Sequence, residues 1–181
     1  RRDGNIETKM DIYLLPEEAG EIRRVRIIND GDEEALLECI SYFELVGENI
    51  KSDLAHPAFS NLFIRTEALK EHEGLLAYRR KREDNKEDTW ILHFVRVFEE
   101  GVEKFQYETS RLNFIGRGNS VKKPIAIEKG LTNTTGVVLD PIMSIGKKIK
   151  VPSKGKIDIY YITAMTNTKS QAMEILEKYK D

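Results

Sequence analysis

Along most of this chain, side chains of opposite character alternate with a period of two. Ile6, Thr8, Met10, Ile12 and Leu14 are interleaved with Glu7, Lys9, Asp11 and Tyr13. Successive side chains of an extended strand point to opposite faces, so this run specifies a half-buried β-strand. Ile22 to Ile28 repeats the pattern, as do Ala35, Leu37, Cys39, Ser41, Phe43 and Leu45. Leu62 to Ala68, Leu75 to Arg82 and Phe105 to Thr109 read the same way. Asn29-Asp30-Gly31-Asp32 predicts a turn, because Asn and Gly accept positive φ cheaply. The first half is therefore expected to open as an antiparallel meander. Trp90 to Phe98 is apolar on both faces, which predicts a central strand covered on both sides.

Thr134 to Leu139 and Ile142 to Val151 read as extended. Pro152-Ser153-Lys154-Gly155 predicts a turn, with Lys156 to Met165 returning as the second strand of a hairpin. The period then changes. Thr168 with Gln171 forms a capping-box pattern, and Ala172, Ile175, Leu176 and Tyr179 recur at helical spacing. One amphipathic helix after an all-β run must bury its stripe, either on the sandwich or on a further domain.

Charge excludes some partners. With 29 basic against 31 acidic residues the net charge is −2, so no nucleic-acid footprint is expected. Arg79-Arg80-Lys81-Arg82 is answered at once by Glu83, Asp84, Glu87 and Asp88, the pattern of a solvated hairpin end. Cys39 is the single cysteine, so no internal disulfide forms; it reads as a small buried thiol and suits a reducing compartment. No apolar run is long enough to span a bilayer, and no membrane insertion is expected. His56, His72 and His93 fall on three predicted elements without ligand spacing, so no metal site is assigned, and His93 reads as a satisfied core side chain. Gly116-Arg117-Gly118 lacks the third glycine and the Lys-Thr ending of a phosphate loop, and no Gly-x-Ser-x-Gly elbow occurs. No cofactor is expected.

Two segments carry the functional expectation: Asp53 to Arg65 and Arg111 to Pro124. Loops on a sheet scaffold are where binding residues concentrate. A sugar site needs an aromatic platform and planar hydrogen-bonding side chains. The loops supply Phe59, Phe63 and Phe114 for the first, and His56, Arg111, Asn113, Arg117 and Asn119 for the second. Phe63 and Phe114 read more readily as core anchors. The substrate-binding candidates are His56, Phe59, Arg111, Arg117 and Asn119. Asp53, Glu108 and Asp140 lie near these loops as solvated or capping carboxylates, and no catalytic residue is assigned.

A resemblance sharpens this. Arg2-Asp3-Gly4-Asn5-Ile6-Glu7-Thr8, Glu21-Ile22-Arg23-Arg24-Val25, and Asp53 through Phe63 with its Asp-Leu-Ala-His-Pro core follow one another in a family's order. So do Gln106-Tyr107-Glu108-Thr109, Asn113-Phe114-Ile115-Gly116-Arg117-Gly118 and Leu139-Asp140-Pro141-Ile142. Together they resemble the β-sandwich domain of cyclic β-1,2-glucan synthases and of the related family-94 glycoside phosphorylases, the cellobiose-phosphorylase-like enzymes. The resemblance implies an all-β, antiparallel two-sheet super-sandwich of the galactose-mutarotase type over residues 1–166. It implies that residues 167–181 begin a linker to an (α/α)6 barrel beyond Asp181, and that further strands precede Arg1. Catalysis in that family belongs to the barrel, so this chain is expected to be inactive alone. Its implied role is non-catalytic: binding β-glucan or gluco-oligosaccharide and shaping the active-site mouth, in the cytoplasm. The alternatives are a purely structural or homodimerising module, and a stand-alone mutarotase-like sugar enzyme.

Overall fold

The alternating runs fold into two antiparallel sheets stacked face to face. The structure, a computed structural model, describes residues 1–47, 51, 61–80, 88–98 and 105–180. The larger sheet contains β1 (Arg2–Asp3), β2 (Ile6–Leu14), β3 (Ala19–Asn29), β6 (Ile64–Leu69), β7 (Gly74–Arg79), β8 (Thr89–Arg96) and β11 (Lys156–Thr166), in the order β1-β2-β3-β11-β8-β7-β6. The smaller sheet is built on β10 (Pro141–Val151). One flank pairs with β4 (Ala35–Ile40) and β5 (Phe43–Glu44), the other with β9 (Gln106–Ser110).

Strand parity decides what goes where. Val25, Ile27, Leu75, Val95, Ile157 and Ile159 face Met143, Ile145, Ile149 and Val151 across the interior. On the outer face of the large sheet, Leu76, Leu92, Phe94 and Ile162 pack under Ala172, Ile175 and Leu176 of α3 (Lys169–Lys178). The outer face of the small sheet buries Ile142 beneath Phe114 and Ile115 of α1 (Arg111–Ile115) and Ala126 of α2 (Ala126–Lys129). β8 is thus central and covered on both sides, as its two-faced apolar pattern predicts.

The terminal helix starts where the capping pattern places it. The Thr168 hydroxyl accepts from Gln171 N at 3.2 Å, and Asn167 N donates to Gln171 Oε1 at 3.2 Å. Its stripe is buried on the sandwich, which settles the first of the two expected destinations.

Four expectations need correction. The terminal hairpin does not exist: β10 and β11 lie in different sheets, and residues 152–155 carry the chain across between them. The deciding residue is Asn29, 2 % exposed, whose Nδ2 donates to Val151 O and Pro152 O while its own N–H reaches Gly155 O. The turn after β3 and the turn after β10 are stitched together there, so each serves as an arch. For the same reason the opening meander ends at β3, and β4 crosses to the other layer. Residues 134–139 form no strand; Gly136 makes a single antiparallel bridge to Thr66. Finally, β2 is less covered than its alternation implies. Met10, Ile12 and Leu14 are 58, 55 and 81 % exposed, because the smaller sheet ends at β4 and does not reach over them.

Candidate functional site

At one rim of the small sheet, β9 runs directly into α1. Ser110 Oγ accepts from Asn113 N at 3.4 Å and starts the helical turn. What the sequence presents as the opening of a loop is therefore a short helix, and Phe114 and Ile115 enter the core on its inner side. Phe114 stacks on Tyr42, with centroids 4.7 Å apart and planes at 30°. It is an anchor and offers no platform to a ligand.

Arg111 faces the other way into a polar cluster. Its Nε donates to Glu44 Oε1 at 2.9 Å and its Nη1 to Asp140 Oδ2 at 3.5 Å. The Tyr42 hydroxyl donates to Glu44 Oε1 at 2.8 Å, and Asn61 Nδ2 reaches Asp140 Oδ1 at 3.4 Å. The charges reinforce one another. The Tyr42 hydroxyl, and after it Arg111, hold Glu44 below the usual carboxylate range. Glu44 raises Arg111 in turn. Burial, then the bond to Glu44, push Tyr42 up to about 12. Glu44 stays ionised at neutral pH, so the cluster suits an ionic brace and is poorly suited to proton donation.

Glu108 supplies a second brace. It is 1 % exposed and accepts from Thr109 N at 2.9 Å, Ser110 N at 2.8 Å and Thr132 N at 3.3 Å, and from the Thr132 hydroxyl. Asn113 Nδ2 donates to Thr134 Oγ1 at 3.0 Å. The start of the segment is thereby tied to residues 132–134, and farther along Ile125 N donates to Ile115 O at 3.0 Å. Between them the chain turns at Gly116, whose φ of +83° only glycine adopts readily. Arg117 and Asn119 stand exposed on the turn that follows.

Other candidates fall away on geometry. His93 is 2 % exposed, with Nε2 2.8 Å from Ser41 Oγ and Nδ1 2.9 Å from Thr163 Oγ1. Burial holds its pKa down at about 3, so it is a neutral core side chain, as expected. Among the described residues no cluster of His, Cys, Asp and Glu could hold a metal ion. Nor is any described helix long and apolar enough to cross a membrane.

The model of the family described as glycosyl hydrolase 94, supersandwich domain, matches residues 1–181. This chain belongs to that family. The supersandwich domain is also similar to the cyclic beta-(1,2)-glucan synthase NdvB of Rhizobium meliloti (strain 1021), at 28 % identity over 179 residues. That match covers 98 % of this chain and 6 % of the synthase.

Of the five substrate-binding candidates, the supersandwich places three at this rim. Arg111 is engaged by two carboxylates, while Arg117 and Asn119 share an exposed turn six and eight positions along. His56 and Phe59, with residues 52–60 generally, lie outside the described residues. Sequence reasoning missed Tyr42, Glu44 and Asn61. Strand parity already turned Tyr42 and Glu44 away from the core, opposite to Ser41, Phe43 and Leu45, but no spacing tied them to Arg111.

Proposed function

We propose that this supersandwich domain is a non-catalytic, substrate-shaping module of an enzyme that acts on β-linked glucan. One observation carries the reading. The rim segment is fastened at its start, by Arg111 between Glu44 and Asp140 and by buried Glu108 just before it, is closed by the bond from Ile125 N to Ile115 O, and presents Arg117 and Asn119 to the outside. A guanidinium and an amide held on a pre-organised turn suit hydroxyl-rich ligands, because little ordering remains to be done on binding. Glu44, held below the usual carboxylate range, is poorly suited to donate a proton, so the chemistry of bond breakage is assigned to another domain of that enzyme. The test is kinetic. In a glucan-forming enzyme carrying this domain, the double substitution Arg117→Ala and Asn119→Ala is expected to raise KM for gluco-oligosaccharides several-fold with the fold intact. An unaltered KM removes the rim from substrate handling.

A second reading, a docking or dimerising module, is favoured by the exposed Met10, Ile12 and Leu14 on β2. Apolar rows of that kind on a sheet mark interfaces. Sedimentation of wild type against Ile12→Lys separates the two: an oligomer that dissociates on substitution supports docking, and a monomer in both ends it. The mutarotase-like alternative is the weakest, since the histidine described within the strands has both ring nitrogens occupied by Ser41 and Thr163.

A further inference from the structure

On the outer face of the large sheet, one row of side chains crosses four strands beyond the start of α3. The register pairs Arg65 with Tyr78, Tyr78 with Trp90, and Trp90 with Thr166. The adjacent row holds Leu76 and Leu92, which α3 covers. Tyr78 and Trp90 are only half-buried. Their rings stack on each other, with centroids 4.9 Å apart and planes at 22°. Such a pair supports itself, and neither ring needs the helix to hold its orientation.

The rings border an open cavity of about 300 Å³, lined also by Arg65, Glu67, Gly136 and Val137. Its far wall is rigid. Gly136 N donates to Thr66 O at 2.9 Å, and Thr66 N returns the bond to Gly136 O at 3.0 Å. Val137 is 61 % exposed and adds an apolar ledge. The charged groups that line it are one guanidinium and one carboxylate. Arg65 is exposed and makes no ion pair among the described residues, whereas Glu67 is bonded to Lys169 at the start of α3.

We propose that this shelf holds one pyranose ring of a glucan chain, as a carbohydrate subsite separate from the rim. The proposal rests on reading the domain as part of a glucan-handling enzyme. The chemistry fits a sugar. Pyranose C–H faces pack on aromatic rings, and neighbouring hydroxyls match a guanidinium and a carboxylate held beside them. Glu67 is paired with Lys169, which leaves Arg65 as a single guanidinium beside the rings, whereas phosphate-bearing ligands call for several unpaired cations. The shelf and the rim are linked along the chain: Gly136 and Val137 wall the cavity, and Asp140, a few residues on, is an acid that pairs with Arg111.

Trp90 is the only tryptophan in the chain, so its fluorescence reports on this shelf alone. Titration of residues 1–181 with β-1,2-linked gluco-oligosaccharides is expected to shift Trp90 emission saturably. Tyr78→Ala should weaken that binding by about tenfold, the scale of one lost stacking partner. Arg65→Ala, at an exposed position that tolerates truncation, should weaken it several-fold, and circular dichroism confirms that both variants fold. Heat of binding by calorimetry with no change in Trp90 emission places the sugar elsewhere; the shelf then falls while the rim reading stands. Absence of both signals also removes the shelf and leaves the rim to its kinetic test. An emission change that survives both substitutions, or that only nucleotides or peptides produce, overturns the assignment as well.

Discussion

Lys147 leaves β10 toward the space between the sheets, and its ammonium meets the Glu73 carboxylate at 2.5 Å. The lysine is 4 % exposed and sits at the inward parity of Ile145 and Ile149; Glu73 reaches in from the turn that precedes β7, at a φ of 47°. An ammonium so placed depends on its partner, because an unpaired buried charge is costly. Glu73→Gln should lower the free energy of unfolding by about 1–3 kcal/mol, less than for a wholly buried pair because Glu73 is partly open to water. Lys147→Met removes the charge and keeps the length, and should be close to neutral. Equal losses for the two variants in urea denaturation would contradict this account.

His93 gives the chain an acid-sensitive interior. Its neutral ring lies among Ser41, Thr163, Phe43 and Tyr161, with the Arg23 charge nearby adding to the effect of burial. The folded-state pKa of about 3 is below the ordinary 6.5, so the unfolded chain takes up the proton first. Stability is therefore intact above pH 6.5 and drains away as pH falls toward 3, with a slope of up to about 1.4 kcal/mol per pH unit from this group. His93→Gln keeps hydrogen-bonding groups without the titrating ring. Its stability should be flatter with pH over that window, whatever its absolute value; parallel profiles would dismiss His93 as the cause.

Gly116 sets the aim of the rim turn. A Cβ there would lie 2.9 Å from Ile125 Cγ2, at a φ that side chains rarely adopt. Gly116→Ala should cost about 1–3 kcal/mol and shift amide resonances across residues 112–125. At Gly118, φ +78°, the added methyl meets open space, so only the backbone term of about 1–2 kcal/mol remains. If Gly116→Ala leaves the spectrum unchanged, the turn is not fixed by this residue.

The terminal helix is held by its cap and by its stripe, and the two contributions differ in size. Thr168→Ala removes the acceptor for Gln171 N and should cost about 1 kcal/mol. Leu176 is 0 % exposed beneath the large sheet, and Leu176→Ala should cost about 2–5 kcal/mol. The ranking is checked by urea midpoints at constant slope.

Period-of-two patterning made most strands legible, because it follows from strand geometry alone: β2, β3, β8 and β11 lie within a few residues of their expected spans. Pairing partners were not legible. Pro152-Ser153-Lys154-Gly155 has the composition of a hairpin turn, and only the buried Asn29 amide, from a distant turn, makes it an arch. The site divides in the same way. That residues 111–124 lie at a rim could be read from the chain, as could the anchoring role of Phe114. That Arg111 is held by Glu44, 67 positions earlier, could not, since nothing local links them. Tyr78 and Trp90 carry outward parity, but their meeting depends on a register the sequence does not spell out.

The arch at residues 152–155 has a kinetic consequence. β11 finds no strand beside it in the chain; Arg26 and Asp158, whose bidentate pair ties it to β3, are 132 residues apart. Contacts that distant must wait for large loops to close, which places folding on the millisecond-to-second scale typical of sandwiches and not on the microsecond scale of an isolated hairpin. The last long strand, paired with β3 on one side and β8 on the other, closes the large sheet only once both neighbours have come together.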